Sequence, residues 1–192
     1  MSEMQMRGYI IVHTVQYLRD KLGDAEWNRI EGSLSSGLQA VLAGEVKHGG
    51  WYPISHSVEL NRVLLDRTAK KDDASARDAL HNCGRYIAGA ATNTFLKMLM
   101  KMLTPGLFAR KLPDVFRRDF SSGRLESSLE GRKLICRYYD VPGFEHSAVL
   151  ASGFAAKAFE GMGKEVESFS VHNWSLQEPN TDGSWFELTW KD

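Results

Sequence analysis

The spacing of apolar residues changes near Pro113, and this change constrains the fold more than any other feature of the chain. Before Pro113, apolar residues recur every three or four positions, as they do along one face of an α-helix. After it, short segments rich in β-branched and aromatic residues show partial alternation, which is typical of strands. The order predicts an α+β fold, in which an N-terminal helical half is followed by a mostly antiparallel four-stranded sheet with one inserted helix.

Glycine, proline and capping residues predict the helix boundaries of the first half. The first helix is expected to begin at Gly8 and to stop at Gly23, with Asp24 capping the second. In the segment WYPIS, Pro53 is expected to break regular structure and Ser55 to cap the next helix. The other expected helices are those of about 74–91, of the run FLKMLMKML and of the segment that starts with Pro105, and residues 37–42 either extend the second helix or form a short one.

The helix of about 74–91 carries a row of small side chains. Gly84, Ala88 and Ala91 follow one another at spacings of four and three residues, which places them on one face. This face is expected to let a neighbouring helix approach closely.

Four segments of the second half are predicted to be strands: RLESS, KLICRYYD, EVESFSVHNW and SWFELTW. In the second of them, Leu134, Cys136 and Tyr138 share one face, whereas Ile135, Arg137 and Tyr139 share the other. Loops rich in Ser, Gly, Asn and Asp separate the first two strands and the last two, as hairpins require. The inserted helix, of roughly 145–162, lies between the second and third strands.

Length and composition exclude several classes of protein. The 192 residues suit one domain, residues 1–192, and the 24 basic residues balance 24 acidic ones, so the net charge does not favour nucleic acid as a partner. No apolar run is long enough to span a bilayer and no signal peptide is evident, so we expect a cytoplasmic location. Two distant cysteines, Cys83 and Cys136, argue against a disulfide framework and a structural zinc site.

The chain contains none of the short motifs that mark common catalytic sites, such as GxSxG, GxxxxGK[ST] and HExxH. Its six histidines are scattered, and His81 and Cys83 project about 200° apart on a helix, too far for a shared metal ion. Glu145 and His146 are adjacent on the predicted helix and therefore do not face each other. The sequence predicts a protein that is not an enzyme and has no metal site.

The run FLKMLMKML, residues 95–103, is the most apolar segment of the chain. Methionine thioethers bind Cu(I), and Met98 and Met102 face the same way on a helix, but Met100 points away from both. Methionine is more commonly an adaptable filler of irregular apolar space. The run is therefore interpreted as core or as the wall of a ligand pocket.

Two long segments carry a resemblance to a known family. RGYIIVHTVQYLRDKLGDAEWNRI (7–30) and GRKLICRYYDVPGFEHSAVLASGFAAKAFEGMGKEVESF (131–169) resemble the early and late parts of haem-nitric-oxide/oxygen-binding domains. The same fold superfamily includes vinyl-reductase-type ligand-binding domains and Golgi transport-particle subunits. WYPIS, LPDVFRRDFSSGR and WFELTW are similar to a myxobacterial paralogous family of unknown function. The resemblance implies a sensor or adaptor domain.

The sequence departs from this family at the residues that hold haem. The family's proximal histidine follows a Phe-Leu opening late in a helix, and the same alignment places Leu103 or a neighbour there. No histidine occurs between Asn82 and Glu145, and a leucine cannot ligate iron. The family's Tyr-x-Ser-x-Arg motif reads Tyr-Tyr-Asp-Val-Pro from Tyr138 and Tyr-Asp-Val-Pro-Gly from Tyr139. Haem, or any other cofactor, is therefore not predicted.

Three hypotheses about function remain open. In the first, a small apolar ligand occupies the volume that haem would take, and the candidate pocket residues are Cys83, Ile87, Met98, Leu99, Met102, Leu103, Tyr138 and Tyr139. In the second, side chains fill this volume, and the chain is a protein-interaction or homodimerisation module with Trp51, Trp174 or Trp185 as contact anchors. In the third, an unexpected residue such as His81 holds haem.

Overall fold

The computed structural model of the protein describes residues 3–91, 103–179 and 183–191. Within these residues the helices are α1 (Gly8–Leu22), α2 (Asp24–Glu31), α3 (Ser36–Ala43), α4 (Ile54–Thr68), α5 (Asp73–Ala91), α6 (Pro105–Asp119) and α7 (Ser147–Gly161). The strands are β1 (Gln5–Arg7), β2 (Trp51–Pro53), β3 (Arg124–Glu130), β4 (Lys133–Tyr139), β5 (Glu165–His172) and β6 (Trp185–Lys191). This order confirms the predicted α+β fold with one inserted helix.

The four-stranded sheet is antiparallel throughout, with strand order β3-β4-β6-β5. Its inner face is the one predicted from alternation, since Leu134, Cys136 and Tyr138 are all buried. The opposite face of β4 carries the exposed Arg137, the half-buried Tyr139 and the buried Ile135. Helices α6 and α7 pack against this sheet, and α7 packs in turn against α5.

Some helices begin at the predicted capping residues, and others do not. Thr104 caps α6 by accepting a hydrogen bond from the Leu107 N–H, and Pro105 takes the first position as predicted. Residues 37–42 lie in a separate helix, α3, capped by Ser35. Two predicted caps are wrong. Asp24 is the first residue of α2, after Gly23 at φ 81°, and Ser55 lies inside α4, which already begins at Ile54.

The prediction missed a second, two-stranded sheet between β1 and β2. Met6 pairs with Tyr52 and Arg7 with Trp51, so the segment WYP extends regular structure instead of only interrupting it. Strands of three residues are too short to show alternation in a sequence. Pro53 ends β2 immediately before α4.

Helix α6 continues past Pro113, where the sequence pattern changes, and ends at Asp119. Proline has no N–H, so Pro113 leaves the carbonyl of Ala109 without its helical donor. The Ser127 hydroxyl of β3 donates to this carbonyl at 2.6 Å. The helix tolerates Pro113 because a neighbouring strand supplies the missing hydrogen bond.

Helices α5 and α7 touch backbone to backbone through two glycines. A Cβ atom at Gly84 would collide with the Leu150 carbonyl, and one at Gly153 with the His81 carbonyl. The predicted close approach along the small face of α5 is therefore confirmed, and Ala88 is buried on that helix as well.

Candidate functional site: an apolar cavity behind the sheet

A cavity of about 110 Å³, partly open to the surface, lies between the inner face of the sheet and the helices. Strands β3, β4 and β6 supply one wall, and helices α5, α6 and α7 supply most of the rest, closed by β1 and the start of α1. The lining is largely apolar. Its described members are Met6, Tyr9, Ile10, Ser57, Gly84, Ile87, Leu112, Val115, Phe116, Asp119, Phe120, Leu125, Cys136, Tyr138, Phe144, Ser147, Leu150, Ala151, Phe154, Ala155 and Phe186.

Aromatic rings form one end of this cavity. Phe116 lies 4.9 Å from Phe120, 5.8 Å from Tyr138 and 5.9 Å from Phe144, measured between ring centroids. Tyr138 and Phe144 are 4.9 Å apart. Phe116 and Phe120 are stacked, and the other pairs are tilted or edge-on, which are favourable arrangements of aromatic rings.

One charged pair reaches the cavity, and it is internally compensated. The Asp119 carboxylate is 4% exposed, accepts a hydrogen bond from the Tyr9 hydroxyl at 3.0 Å and pairs with the Arg118 guanidinium at 2.8 Å. Burial and the neighbouring Asp119 charge raise the pKa of Tyr9, which keeps it a neutral donor. The described lining therefore presents no uncompensated charge to a ligand.

Tyr138 differs from Tyr9 because its hydroxyl has no hydrogen-bond partner among the described residues. Burial, with a smaller effect of Cys136, raises the pKa of Tyr138 well above its usual range. Burial likewise raises the pKa of the Cys136 thiol. Both groups stay protonated, so the cavity contains a neutral donor at Tyr138 that is available to an acceptor.

The structure brings only some of the predicted pocket residues to this cavity. Ile87 and Tyr138 line it. Cys83 is fully buried one turn before Ile87 but is absent from the described lining, and burial raises its thiol pKa to about 12.

The other predicted pocket residues lie elsewhere. Leu103 is half-buried and is also absent from the described lining. Tyr139 lies on the other face of β4, where the Arg124 guanidinium is 4.5 Å from its ring. Met98, Leu99 and Met102 lie outside the described residues.

Most residues of the cavity wall were not predicted from the sequence, among them Tyr9, Phe116 and Phe144. Cys136 and Phe186 were detectable, because alternation places them on the inner face of their strands. Tyr9 and Asp119 were not detectable, because they lie 110 residues apart and meet only in the folded chain.

The described residues around the cavity do not fit haem. None of the described lining residues is a histidine, and the Cys136 thiol and Tyr138 phenol are held in their neutral forms, which are poor iron ligands. The described lining also contains no arginine or lysine that would pair with propionates. At about 110 Å³ the space is below the 300 Å³ or so at which pockets for drug-sized ligands begin.

His81 does not line the cavity. Its Nδ1 lies 2.9 Å from the Ser152 hydroxyl, and its ring stacks on Phe169 at 3.8 Å. Burial, followed by the charge of Arg85, lowers the pKa of His81 to about 4. The contacts of His81 are those of a structural residue of the α5–α7 interface.

His146 is also held structurally. It accepts a hydrogen bond on Nδ1 from the Trp174 indole at 3.2 Å, while Glu145 pairs with Arg62 of α4 at 2.7 Å. Glu145 and His146 thus contact different elements, as expected for neighbours that do not face each other.

Two further features are absent from the part of the chain that the structure describes. No group of three or more His, Cys, Asp or Glu side chains is placed to hold a metal ion there. Within the same residues, no helix is both long enough and apolar enough to cross a membrane.

Comparison with known proteins shows which solved structures share the fold of this chain. The chain matches no family model and no curated protein. It is similar in structure to the unliganded Fe(II) H-NOX protein of K. algicida (TM-score 0.70, 15% identity, 97% of each chain) and to the Fe(II)NO H-NOX protein of S. oneidensis (TM-score 0.68, 12% identity, 97% of this chain and 100% of that one). A single-site mutant of T. tengcongensis H-NOX is similar at a TM-score of 0.54, with 13% identity over 97% of this chain and 98% of that one.

H-NOX denotes the haem-nitric-oxide/oxygen-binding domain, and the chain has an H-NOX-like fold over nearly its whole length. This confirms the fold that the sequence resemblance implies. Identities of 12 to 15% establish the fold alone and say nothing about what this chain binds.

Proposed function

We propose that this chain is a single-domain, non-enzymatic and cytoplasmic sensor or adaptor that binds a small neutral molecule, and not haem, in the cavity behind its sheet. One observation carries the proposal. The fold of a ligand-sensing domain encloses an apolar cavity whose described walls offer a hydroxyl donor without a partner among them and lack the residues that haem requires.

The cavity chemistry defines the ligand class. A largely apolar wall favours an apolar body, and the compensated Asp119–Arg118 pair offers nothing to a free charge, so charged ligands would be desolvated without compensation. Tyr138 supplies one hydrogen bond to an acceptor. An engineered apolar cavity of about 150 Å³ binds benzene, so a ring of five or six atoms is the expected size. A small cyclic ketone meets these conditions.

A signal would leave the cavity through the connection from β4 to α7. Phe144 of this connection and Ser147, the first residue of α7, line the cavity, while Glu145 and His146 between them contact Arg62 and Trp174. His146 has a φ of 63°, a left-handed conformation that costs free energy for a residue other than glycine. A ligand that shifts Phe144 would therefore change contacts at the surface of the protein.

The proposal is tested with two probes of nearly identical shape, cyclopentanone and methylenecyclopentane. We expect both to raise the thermal midpoint, and cyclopentanone to bind several-fold more tightly because it accepts the Tyr138 hydrogen bond. Tyr138→Phe should abolish this preference while leaving the affinity for methylenecyclopentane unchanged. Ala155→Leu, which places a larger side chain in the cavity wall, is the control that should bind neither probe.

The alternative is an interaction or dimerisation module without a ligand. The small volume of the cavity favours it, because a gap of about 110 Å³ can also be a packing defect of angled aromatic rings. Native mass spectrometry of protein purified from its own cells separates the two functions. A released small molecule supports the sensor, whereas a bare chain or a whole multiple of it, together with failure of both probes, supports the module.

A further inference from the structure

Two histidines that the cavity does not use lie close together on another part of the surface. His13 is on α1 and is half-buried, and His48 is exposed on the loop of residues 44–50. Their ring centroids are 5.3 Å apart and their planes make an angle of 79°. No hydrogen bond between either ring and another described residue is present, so their nitrogen atoms are available to a ligand.

The separation of the two rings matches the geometry of a shared metal ion. A Zn–N bond is about 2.0–2.1 Å long, which places the metal about 3.2 Å from each ring centroid. Two imidazoles at a tetrahedral angle around one ion then have centroids about 5.2 Å apart. The observed 5.3 Å agrees with this value.

The backbone that carries His48 is fixed against the helix that carries His13. The His48 carbonyl accepts a hydrogen bond from the Tyr9 N–H at 3.1 Å, one helical turn before His13, and the Gly50 carbonyl accepts one from the Gly8 N–H at 3.0 Å. The Tyr52 hydroxyl accepts from the Lys47 N–H at 3.0 Å. A pair of ligands held in this way loses little freedom on binding a metal, which raises its affinity.

The same loop depends on a glycine for its position. A Cβ atom at Gly8 would collide with the Lys47 carbonyl, so only glycine at the start of α1 lets the loop come this close. The 44–50 loop is therefore part of the packed structure near His13, and the proximity of the two rings is a property of the fold.

From this geometry we infer that His13 and His48 form a surface site for a divalent late transition-metal ion, Zn²⁺ or Cu²⁺, with water completing the coordination. Imidazole is a good ligand for both ions, and the Irving–Williams order makes Cu²⁺ the tighter of the two. A bound ion would join the start of α1 to the 44–50 loop.

The test is calorimetric titration of the chelator-treated full chain with ZnCl₂. We expect one site in the unaltered protein and at least a tenfold weaker affinity in both His48→Gln and His13→Gln. His172→Gln is the matched control, because His172 is a partly exposed histidine stacked on Trp185 at 3.7 Å in another part of the fold, and it should bind as the unaltered protein does.

A second readout locates the ion. CuCl₂ should broaden the amide NMR signals of residues 8–13 and 47–50 before those of the sheet, because paramagnetic broadening falls steeply with distance. The proposal is overturned if the unaltered protein binds no Zn²⁺ at millimolar concentration, or if His48→Gln binds it undiminished. His48 is exposed, so its replacement leaves the fold intact and the second outcome cannot be blamed on unfolding.

Discussion

The α5–α7 interface and the cavity border each other, yet they are packed in opposite ways. At the interface, Gly84 and Gly153 bring two backbones into contact, and no side chain fits between them. At the cavity, large rings such as Phe116 and Phe144 meet at an angle of 74° and leave about 110 Å³ between sheet and helices. The comparison predicts a core that is rigidly specified on one side of this helix pair and tolerant of added volume on the other.

The largest expected effect is a loss of stability when either of the two glycines at the α5–α7 interface is replaced. Gly84→Ala and Gly153→Ala should each lower the free energy of unfolding by about 3 kcal/mol or more, because the added methyl group meets backbone, which cannot move aside. Gly89→Ala on the same helix is the control. Its Cβ atom would lie 3.7 Å from the Lys157 Cε atom, an ordinary contact, and alanine should stabilise the helix by about 0.5–1 kcal/mol. Urea denaturation of the three variants decides this, and equal losses at Gly84 and Gly89 would contradict the close-packed interface.

A smaller effect should distinguish two neighbouring alanines of α7. Ala156 is fully buried and absent from the described cavity lining, so Ala156→Leu should cost about 1–3 kcal/mol by overpacking. Ala155 is equally buried but borders the cavity, and we expect Ala155→Leu to change the free energy of unfolding by less than about 1 kcal/mol. Thermal and urea unfolding measure both. If Ala155→Leu proves as costly as Ala156→Leu, the cavity is too rigid to accept added volume, and it would not adapt to a ligand either.

The smallest expected effect is a loss of stability at low pH, caused by protonation of His81 at the α5–α7 interface. The folded pKa of His81, about 4, lies below the value of about 6.5 for an unfolded histidine. The unfolded chain therefore binds the proton more readily, and the stability that neutral His81 contributes is present above pH 6.5 and is lost as the pH falls toward 4. His81→Gln should show a shallower loss of stability between pH 6.5 and 4 than the unaltered protein. Parallel curves for the two proteins would show that His81 keeps its ordinary pKa in the fold.

Much of the architecture could be predicted from the sequence because it depends on local patterns. Alternation in KLICRYYD placed Cys136 and Tyr138 on the buried face of β4, and Thr104 with Pro105 marked the start of α6. The errors came from interactions across the chain. Helix α6 runs through Pro113 because Ser127, 14 residues later, satisfies the freed Ala109 carbonyl, and no local pattern announces such a bond.

The candidate site was predictable only in outline. The absence of a histidine between Asn82 and Glu145, and of the Tyr-x-Ser-x-Arg motif, is enough to argue against haem from the residues alone. Ile87 and Tyr138 reach the cavity, but Cys83, one turn from Ile87, is absent from the described lining, because the angle at which helices pack decides which of two neighbouring positions meets an open space.

The sequence by itself determined the four strands of the main sheet, the inserted helix, their order and the buried face that Cys136 and Tyr138 share, since periodicity is a property of a few adjacent residues. Only the tertiary structure decided that a gap remains behind that sheet, that the Tyr138 hydroxyl meets no partner among the described residues there and that His13 meets His48. Packing density and the pairing of distant groups depend on how side chains from separate elements fit together in space. No spacing along a single chain contains that information.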